Sequence, residues 1–524
     1  MPRAALLSIA AFAILLPLTG CGPAAAPVAT TPPPPQPAVW TGRVRFEARD
    51  PTPTGASQAR RVLPARFVRV RAEAPDGTPI AEARTDAEGA FRLEATEAAT
   101  MLAIESTLEH EGIELAVTTD GAGTEPHVFR APLGTPQAPI DLVVRDEHAE
   151  AGALHILDTM LLGAQAVQAW TGETLPPFFA YWGRGVTTVW SFYTGERPAG
   201  SGRYTIELLG GEPGQQHTTD TDEHDEMIVL HEFGHFVMDR LSSDSSHGGQ
   251  HPRGFQIDPG LAWEEGRATW FATMVLASPL YQDTIGIQPT GQLRVNHDLE
   301  RGDERDVRGI GSESSVAEVL WDLADGAGEI EDADEDGVAL GPATLLEAMI
   351  ELGRRPGAHP ALPTFLRHLV QSGRVEATAV KRLLALGGHP AELLPEDDTS
   401  RWPLDLAVPG KVADKIDGVS DPAPSGGPPR PSNGADAVKV YRVHLEEPAR
   451  LVAMLEIFGS GRGQDREDLD LELRDIRSEL LDRSAGQGRF ETISRRLEPG
   501  WYLLTVRDGG RGNRVGYELR VELR

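Results

Sequence analysis

The sequence predicts a multidomain α+β protein, with a β-sandwich near each end and a mainly helical central domain that also contains a small sheet. Its 524 residues are enough for about three domains. Polar and apolar residues alternate as in strands over 40–146 and 433–524, whereas apolar residues recur at helical spacing over 147–404. The formal charge of −30, without a basic cluster, argues against nucleic acid as a partner.

Residues 1–20 have the pattern of a secretory signal peptide, with an apolar stretch at 4–18. The stretch ends in the tetrapeptide LTGC at 18–21, which resembles the lipobox of bacterial lipoproteins. The resemblance implies that Cys21 becomes the acylated N-terminus, carries chains such as palmitate and anchors the protein to a membrane of the bacterial cell envelope. Gly22 after the cysteine favours the outer membrane. The alternative is an ordinary cleaved signal of a secreted protein. Cys21 is the only cysteine, so the chain can form no internal disulfide.

The next segment, 21–39, is rich in proline. Proline lacks a backbone donor, so this composition does not suit a helix or the interior of a sheet. We predict an extended, semi-rigid tether between the membrane and the globular part of the chain.

The segment 40–146 is predicted to be a β-sandwich. Turn signals at 75–78 (PDGT) and at the start of 85–93 (TDAEGAFRL) separate its alternating strands. The segment 85–93 resembles the T-D-x-x-G-x-F-x-L signature of the carboxypeptidase regulatory-like, transthyretin-like domains. The resemblance implies an accessory or spacer role, and no constellation of catalytic residue types occurs in this segment.

The segment 147–404 changes to helical periodicity. One strand is predicted at 204–209. The predicted helices are 149–170, 227–241, 263–277, 316–323, 364–370 and 377–386.

The second of these helices carries the motif HEFGH at 231–235. His231 and His235 are one turn apart on one helical face, where both imidazoles can bind one metal ion. Glu232 lies beside that face and is the candidate general base for a water activated by the metal. Apolar residues on both sides of the motif predict that the helix is buried.

Zinc hydrolases need a third protein ligand and one open coordination position. The metzincin extension of the motif is excluded, because Met238 and Leu241 occupy the positions of its Gly and His. The segment 261–269, LAWEEGRAT, resembles the second-helix pattern W-x-x-E-G-x-A of gluzincin zinc peptidases, with one residue fewer between Trp and Glu. The resemblance implies that Glu265 binds the zinc ion, with Glu264 as the alternative ligand.

Further candidate site residues lie outside these two helices. The loop between them contains His247 and His251, which are either solvated or close to the substrate. In gluzincins the transition state is often stabilised by a downstream Tyr or His. Tyr281 and His297 are the candidates for this role.

The segment 311–323 resembles a helix that follows the second metal helix in secreted bacterial peptidases with HEFGH-type motifs. We predict a core helix with Trp321 buried and without a catalytic role for Glu313. Asp239, one turn after His235, is either a residue that orients an imidazole or a surface residue.

An acidic loop at 332–337 has the D-x-D-x-D-G start of a calcium loop, with Asp332, Asp334 and Asp336 as candidate calcium ligands. Position 12 of such a loop is Ala343 here, which offers no side-chain oxygen. A partial, structural calcium site and a solvated acidic loop are both consistent with this pattern.

A segment rich in Pro, Gly and Ser, 405–432, is predicted to be a linker. The segment 433–524 then alternates as in strands. Its order of motifs, a strand with Tyr441, a DLDL strand at 468–471 and PGWYL at 499–503, resembles the bacterial pre-peptidase C-terminal domain. Such domains accompany secreted peptidases and are thought to engage large substrates; the alternative is an unrelated small β-sandwich.

Together these resemblances imply a membrane-anchored zinc metallopeptidase of the gluzincin type, with one Zn²⁺ per chain. Its partners would be extracytoplasmic proteins or peptides, whose peptide bonds it hydrolyses. One alternative is a catalytically inactive, peptidase-like lipoprotein that binds or adheres at the surface. Another is a structural metal site, which an open coordination position and an intact Glu232 argue against. Cleavage preference does not follow from the sequence.

Overall fold

The computed structural model describes residues 38–96, 98–187, 190–195, 203–246, 248–249, 251, 255–303, 306–326, 337–394, 402–417, 438–458, 468–486, 488–508 and 514–524. The structure is mixed α and β, with several sheets. Several predicted features lie outside these ranges: the signal segment 1–20, most of the tether, Cys21, His247, Asp332, Asp334 and Asp336.

The N-terminal part of the chain consists of strands, as predicted. These are β1 (Ala38–Ala48), β2 (Pro51–Thr52), β3 (Gly55–Ala56), β4 (Arg61–Pro64), β5 (Val68–Glu73), β6 (Pro79–Arg84), β7 (Ala90–Ala95), β8 (Met101–His110), β9 (Ile113–Thr118), β10 (Val128–Pro132) and β11 (Ile140–Val144). Strand β1 pairs with β4, β7 and β11 in one sheet, and β5, β6, β8, β9 and β10 belong to another. Alternation along β1 buries Val44, Phe46 and Ala48.

The second of these sheets continues past the boundary predicted between 146 and 147. Strand β12 (Phe178–Tyr181) pairs in parallel with β9 and with β14 (Tyr204–Glu207), and β13 (Phe192–Tyr193) pairs with β14 at the edge. One hydrophobic cluster also spans both segments. The predicted boundary therefore does not separate two cores, because strands from both sides complete one sheet.

The helices of the central part are α1 (Ala149–Thr171), α2 (Glu226–Leu241), α3 (Pro259–Val275), α4 (Glu313–Ala324), α5 (Gly341–Gly353), α6 (Leu362–Gln371) and α7 (Ala377–Leu386). The six predicted helices are confirmed with small shifts at their ends. Helix α5 was not predicted, although Pro342 suits a first helical turn. A two-stranded sheet, β15 (Leu280–Ile285) and β16 (Gln292–Asp298), follows α3.

Helices α2, α3 and α4 pack closely in that order. A Cβ atom at Gly234 would lie 3.2 Å from the Cα of Ala268, and one at Gly266 would lie 2.3 Å from the Cβ of Val316. Helix α3 begins at the capping residue Asp258, whose carboxylate accepts a hydrogen bond from the backbone of α3. The close packing brings side chains of α2 within bonding distance of those of α3. Among the described helices, none is long and apolar enough to cross a membrane.

The first turn of α2 is tied to the N-terminal strands and to α1. Glu226 forms an ion pair with Arg61, and its Oε1 lies 3.0 Å from His155 Nε2. Burial alone would raise the pKa of Glu226, but the hydrogen bond with His155 and the charge of Arg61 outweigh it and lower the pKa to about 2.

Replacing Glu226 with Gln is expected to lower the free energy of unfolding at pH 7 by about 2 kcal/mol, since two charge-assisted contacts are lost. Because folding lowers the pKa of Glu226, its full contribution to stability is present above pH 4.5, the ordinary pKa of a glutamate. The contribution is lost as the pH falls towards 2. Urea unfolding at several pH values measures both effects. The exposed Glu88→Gln serves as the control, and equal stability of wild type and Glu226→Gln at pH 7 contradicts the prediction.

The C-terminal part is again β. Its strands are β17 (Leu404–Asp405), β18 (Gly410–Asp417), β19 (Val438–Leu445), β20 (Ala449–Ile457), β21 (Leu469–Asp475), β22 (Leu480–Ser484), β23 (Phe490–Leu497), β24 (Gly500–Asp508) and β25 (Arg514–Leu523). They form two sheets, with the orders β17-β19-β24-β21-β22 and β18-β25-β20-β23. Side chains of both sheets contribute to one buried cluster.

The predicted linker 405–432 differs from the structure in its first part. Strand β18 pairs antiparallel with β25, with Gly410 opposite Val521. Its partner lies at the far end of the chain, so local composition did not reveal the pairing. Residues 418–437 lie outside the described ranges.

Candidate metal centre

The two histidines of α2 and one glutamate of α3 converge on a single point. The Nε2 atoms of His231 and His235 lie 3.1 Å apart. The Oε2 atom of Glu265 lies 3.2 Å from His231 Nε2 and 3.3 Å from His235 Nε2. The three side chains are 10%, 17% and 12% exposed in the order His231, His235, Glu265. These residues form a group that could hold one metal ion.

Burial and neighbouring charges set the protonation of this group. Burial would raise the pKa of Glu265, but the positive charges of His251 and His235 outweigh it and hold the pKa well below its usual range. Burial would lower the pKa of His235, but the Glu265 carboxylate outweighs it and raises the pKa to about 9. Without a bound cation the carboxylate is therefore ionised while His235 holds a proton, which a metal ion would have to replace.

Thr269 orients the first imidazole. Its Oγ1 lies 3.1 Å from His231 Nδ1, so it can accept the Nδ1–H while Nε2 faces the other two ligands. Sequence reasoning did not single out Thr269, although its position four residues after Glu265 places it on the same face of α3. The candidate for this role, Asp239, instead accepts a hydrogen bond of 2.6 Å from the Tyr193 hydroxyl and another from Arg240.

Glu264, the alternative third ligand, is held elsewhere. Its carboxylate accepts the Ser245 amide at 2.8 Å and pairs with the fully buried Arg267. The structure therefore brings Glu265, and not Glu264, to the two histidines.

Glu232 is buried beside the group, at 8% exposure. Its charge acts on the protonation of His235, His251 and Tyr281, so it lies within electrostatic reach of all three. It belongs to no metal-binding group formed by the described residues. This position suits a base that works next to the ligands.

The two candidate transition-state stabilisers are neighbours across β15 and β16, but only one reaches the centre. The ring of Tyr281 lies 5.7 Å from the ring of His231 between centroids. Burial raises the pKa of Tyr281 well above its usual range, so its hydroxyl remains a donor. His297 instead lies 2.8 Å from Glu318 Oε1, in a separate buried cluster with Asp306.

The loop between α2 and α3 also contributes to the centre. His251 Nε2 lies 3.6 Å from Glu265 Oε1, and His251 Nδ1 lies 3.1 Å from Glu313 Oε2. Of the two loop histidines named from the sequence, His251 therefore lies beside the candidate metal-binding group, in contact with Glu313 at the start of α4. As predicted, Trp321 on the same helix is buried.

Comparisons with known proteins give little. No family model matches the chain, and no curated protein is similar to it. The pre-peptidase C-terminal domain of collagenase from Bacillus anthracis is 13% identical, with 23% of this chain and 93% of that chain covered and a TM-score of 0.17. PliG, a periplasmic lysozyme inhibitor from Aeromonas hydrophila, is 16% identical, with 23% and 98% covered and a TM-score of 0.15. Scores this low indicate neither a shared fold nor a shared function.

Proposed function

We propose that the protein is a zinc-dependent metallopeptidase that hydrolyses peptide bonds of extracytoplasmic proteins or peptides. The observation that carries the proposal is the convergence of His231, His235 and Glu265, with Glu232 next to them. The lipobox-like sequence that ends at Cys21 supports attachment to the membrane of a bacterial cell envelope.

The distances between the three ligand atoms suit zinc. Zinc binds His nitrogen and carboxylate oxygen at about 2.0–2.2 Å in tetrahedral geometry, which places two ligands about 3.3 Å apart. The three separations here are 3.1, 3.2 and 3.3 Å. Two lone pairs and one carboxylate oxygen aimed at one point would repel each other unless a cation or a proton lay between them.

The number of ligands favours catalysis over a structural role. A structural zinc site uses four protein ligands, whereas a catalytic site uses three and leaves one position for solvent or substrate. The group formed by the described residues has three members, and each is partly exposed. The proposal therefore leaves one coordination position for solvent or substrate.

Each side chain has a distinct part in the proposed hydrolysis. When bound, the zinc ion supplies a Lewis acid that polarises the scissile carbonyl and acidifies water. Glu232 accepts a proton from the attacking water and returns it to the leaving amine. The Tyr281 hydroxyl donates a hydrogen bond to the developing oxyanion. Thr269 keeps the imidazole of His231 in the tautomer that binds metal.

Metal content and proteolysis test the proposal together. Purified protein from residue 21 onward is expected to contain about one zinc per chain. It should cleave casein, lose this activity with 1,10-phenanthroline and regain it with added zinc. Protein free of zinc after expression in zinc-supplemented medium would overturn the site. Protein with zinc but without cleavage of casein or of a peptide library would favour the inactive surface-binding alternative.

A further inference from the structure

A second group of acidic side chains lies at the N-terminal end of α2, outside the proposed zinc site. Asp220 and Asp222 precede α2, and Asp283 lies on β15. Each places a carboxylate oxygen within 4.8 Å of those of the other two. Asp222 and Asp283 are 2% and 7% exposed, so the group is largely withdrawn from water.

Two of the oxygens in this group have no donor. Asp220 Oδ1 and Asp283 Oδ1 are buried without a hydrogen-bond partner in the described part of the chain. Asp222 Oδ2 is better satisfied, because it accepts from the Ser191 hydroxyl and from the Leu209 amide at 3.3 Å. A buried carboxylate oxygen without a donor is unfavourable unless a cation or a proton compensates it.

The negative charge of the group exceeds the positive charge around it. Asp225 at the start of α2 is also buried, and burial, followed by the charges of Asp283 and Asp222, raises its pKa well above the usual range. In the ranges described, the ion pairs of these acids involve one cation, Arg294, which binds Asp220 and lies 3.7 Å from Asp283 Oδ2. Burial and then the Asp220 charge raise the pKa of Asp283 to about 7, so the group resists ionisation on its own.

A β-bulge between β15 and β16 lies next to Asp283. Asp283 pairs with Val295, whereas Thr284 pairs with Leu293, so Arg294 is the extra residue. The Thr284 hydroxyl donates to Asp225 at 2.9 Å. An isolated antiparallel bridge between Asp220 and Ile285 also joins β15 to the segment that precedes α2.

We propose that Asp220, Asp222 and Asp283 bind a calcium ion. All candidate ligand atoms of this group are carboxylate oxygens. Oxygen ligands suit a hard cation rather than a metal ion that prefers histidine nitrogen. Calcium lies about 2.3–2.6 Å from its ligands, so two ligands of one ion are at most about 5 Å apart. The carboxylate oxygens of this group lie within 4.8 Å of one another, close enough to share one ion. The Ser191 hydroxyl and water can complete the six to eight oxygens that calcium takes.

The ion would link the segment before α2 to β15, which also carries Tyr281. Its role is structural, because the group lies outside the set of side chains proposed for hydrolysis. The proposal is independent of the proposed peptidase activity, since it requires only that the chain folds as described.

Thermal unfolding of the zinc-loaded chain, freed of calcium and then given millimolar calcium, tests the site. Calcium is expected to raise the Tm of wild type by about 5 °C. The Asp283→Asn variant should lose this shift and should have a higher Tm than wild type without calcium, because one repulsive charge is removed. Glu212→Gln, an exposed acid nearby, should keep the full shift.

Terbium luminescence of the wild type provides a direct second measurement, which remains informative if Asp283→Asn does not fold. Terbium should bind, calcium should displace it, and Asp334→Asn in the acidic loop at 332–337 should not abolish that binding. The proposal is overturned if calcium leaves the Tm of wild type unchanged, if Asp283→Asn keeps the shift, or if Asp334→Asn abolishes terbium binding.

Discussion

Replacing Glu232 with Gln is expected to lower kcat for peptide cleavage by about 100- to 10,000-fold, the range that a positioned general base contributes. Glutamine has nearly the same shape but cannot accept the proton of the attacking water. Because Glu232 is not one of the three converging ligands, the variant should still contain about one zinc per chain. The KM should change little, since the substitution leaves the open position and its surroundings in place.

Zinc analysis and casein or peptide cleavage, measured on the same preparation, check this result. Glu226→Gln is the matched control, because it removes a partly buried acid from the first turn of the same helix and lowers stability without touching the centre. It should retain the kcat of wild type under conditions where it is folded. A Glu232→Gln enzyme with unchanged kcat would show that another group activates the nucleophile.

The sequence predicted the elements of the centre because each of them is local. Spacing of four residues placed His231 and His235 on one helical face, and a short motif singled out Glu265 on the next helix. The structure brings these three together through the contact of Gly234 with Ala268, as the spacing of small residues allows. Local periodicity was also sufficient for six of the helices.

Features that depend on distant pairing were not predictable in this way. The parallel pairing of β9 with β12 and the pairing of β18 with β25 join segments far apart in the chain. The acidic group was not predictable for the same reason, since Asp222 and Asp283 meet only because β15 packs against the segment before α2. Nothing in the residues around Asp283 indicates a carboxylate partner sixty-one positions away.

Replacing Glu265 with Gln is expected to reduce the affinity for zinc by more than about 100-fold. Removal of a residue that only hydrogen-bonds to a metal ligand already lowers metal affinity by about 10- to 100-fold, and removal of the ligand itself should lower it further. The amide lacks the negative charge that compensates the cation, while its shape preserves the packing of α3. Thr269→Val should show the smaller effect, a loss of about 10-fold, since it removes only the acceptor for His231 Nδ1.

Competition with a zinc-binding dye measures these affinities, and Glu264→Gln is the matched control. Glu264 is the adjacent acid on α3 and is also buried, but it pairs with Arg267 and is not a member of the group formed by His231, His235 and Glu265. Its variant should unfold at a lower temperature and yet bind zinc as wild type does when folded. If Glu264→Gln loses zinc while Glu265→Gln keeps it, the third ligand is Glu264. The proposed roles of Glu265 as ligand and Glu232 as base would then have to be reassigned.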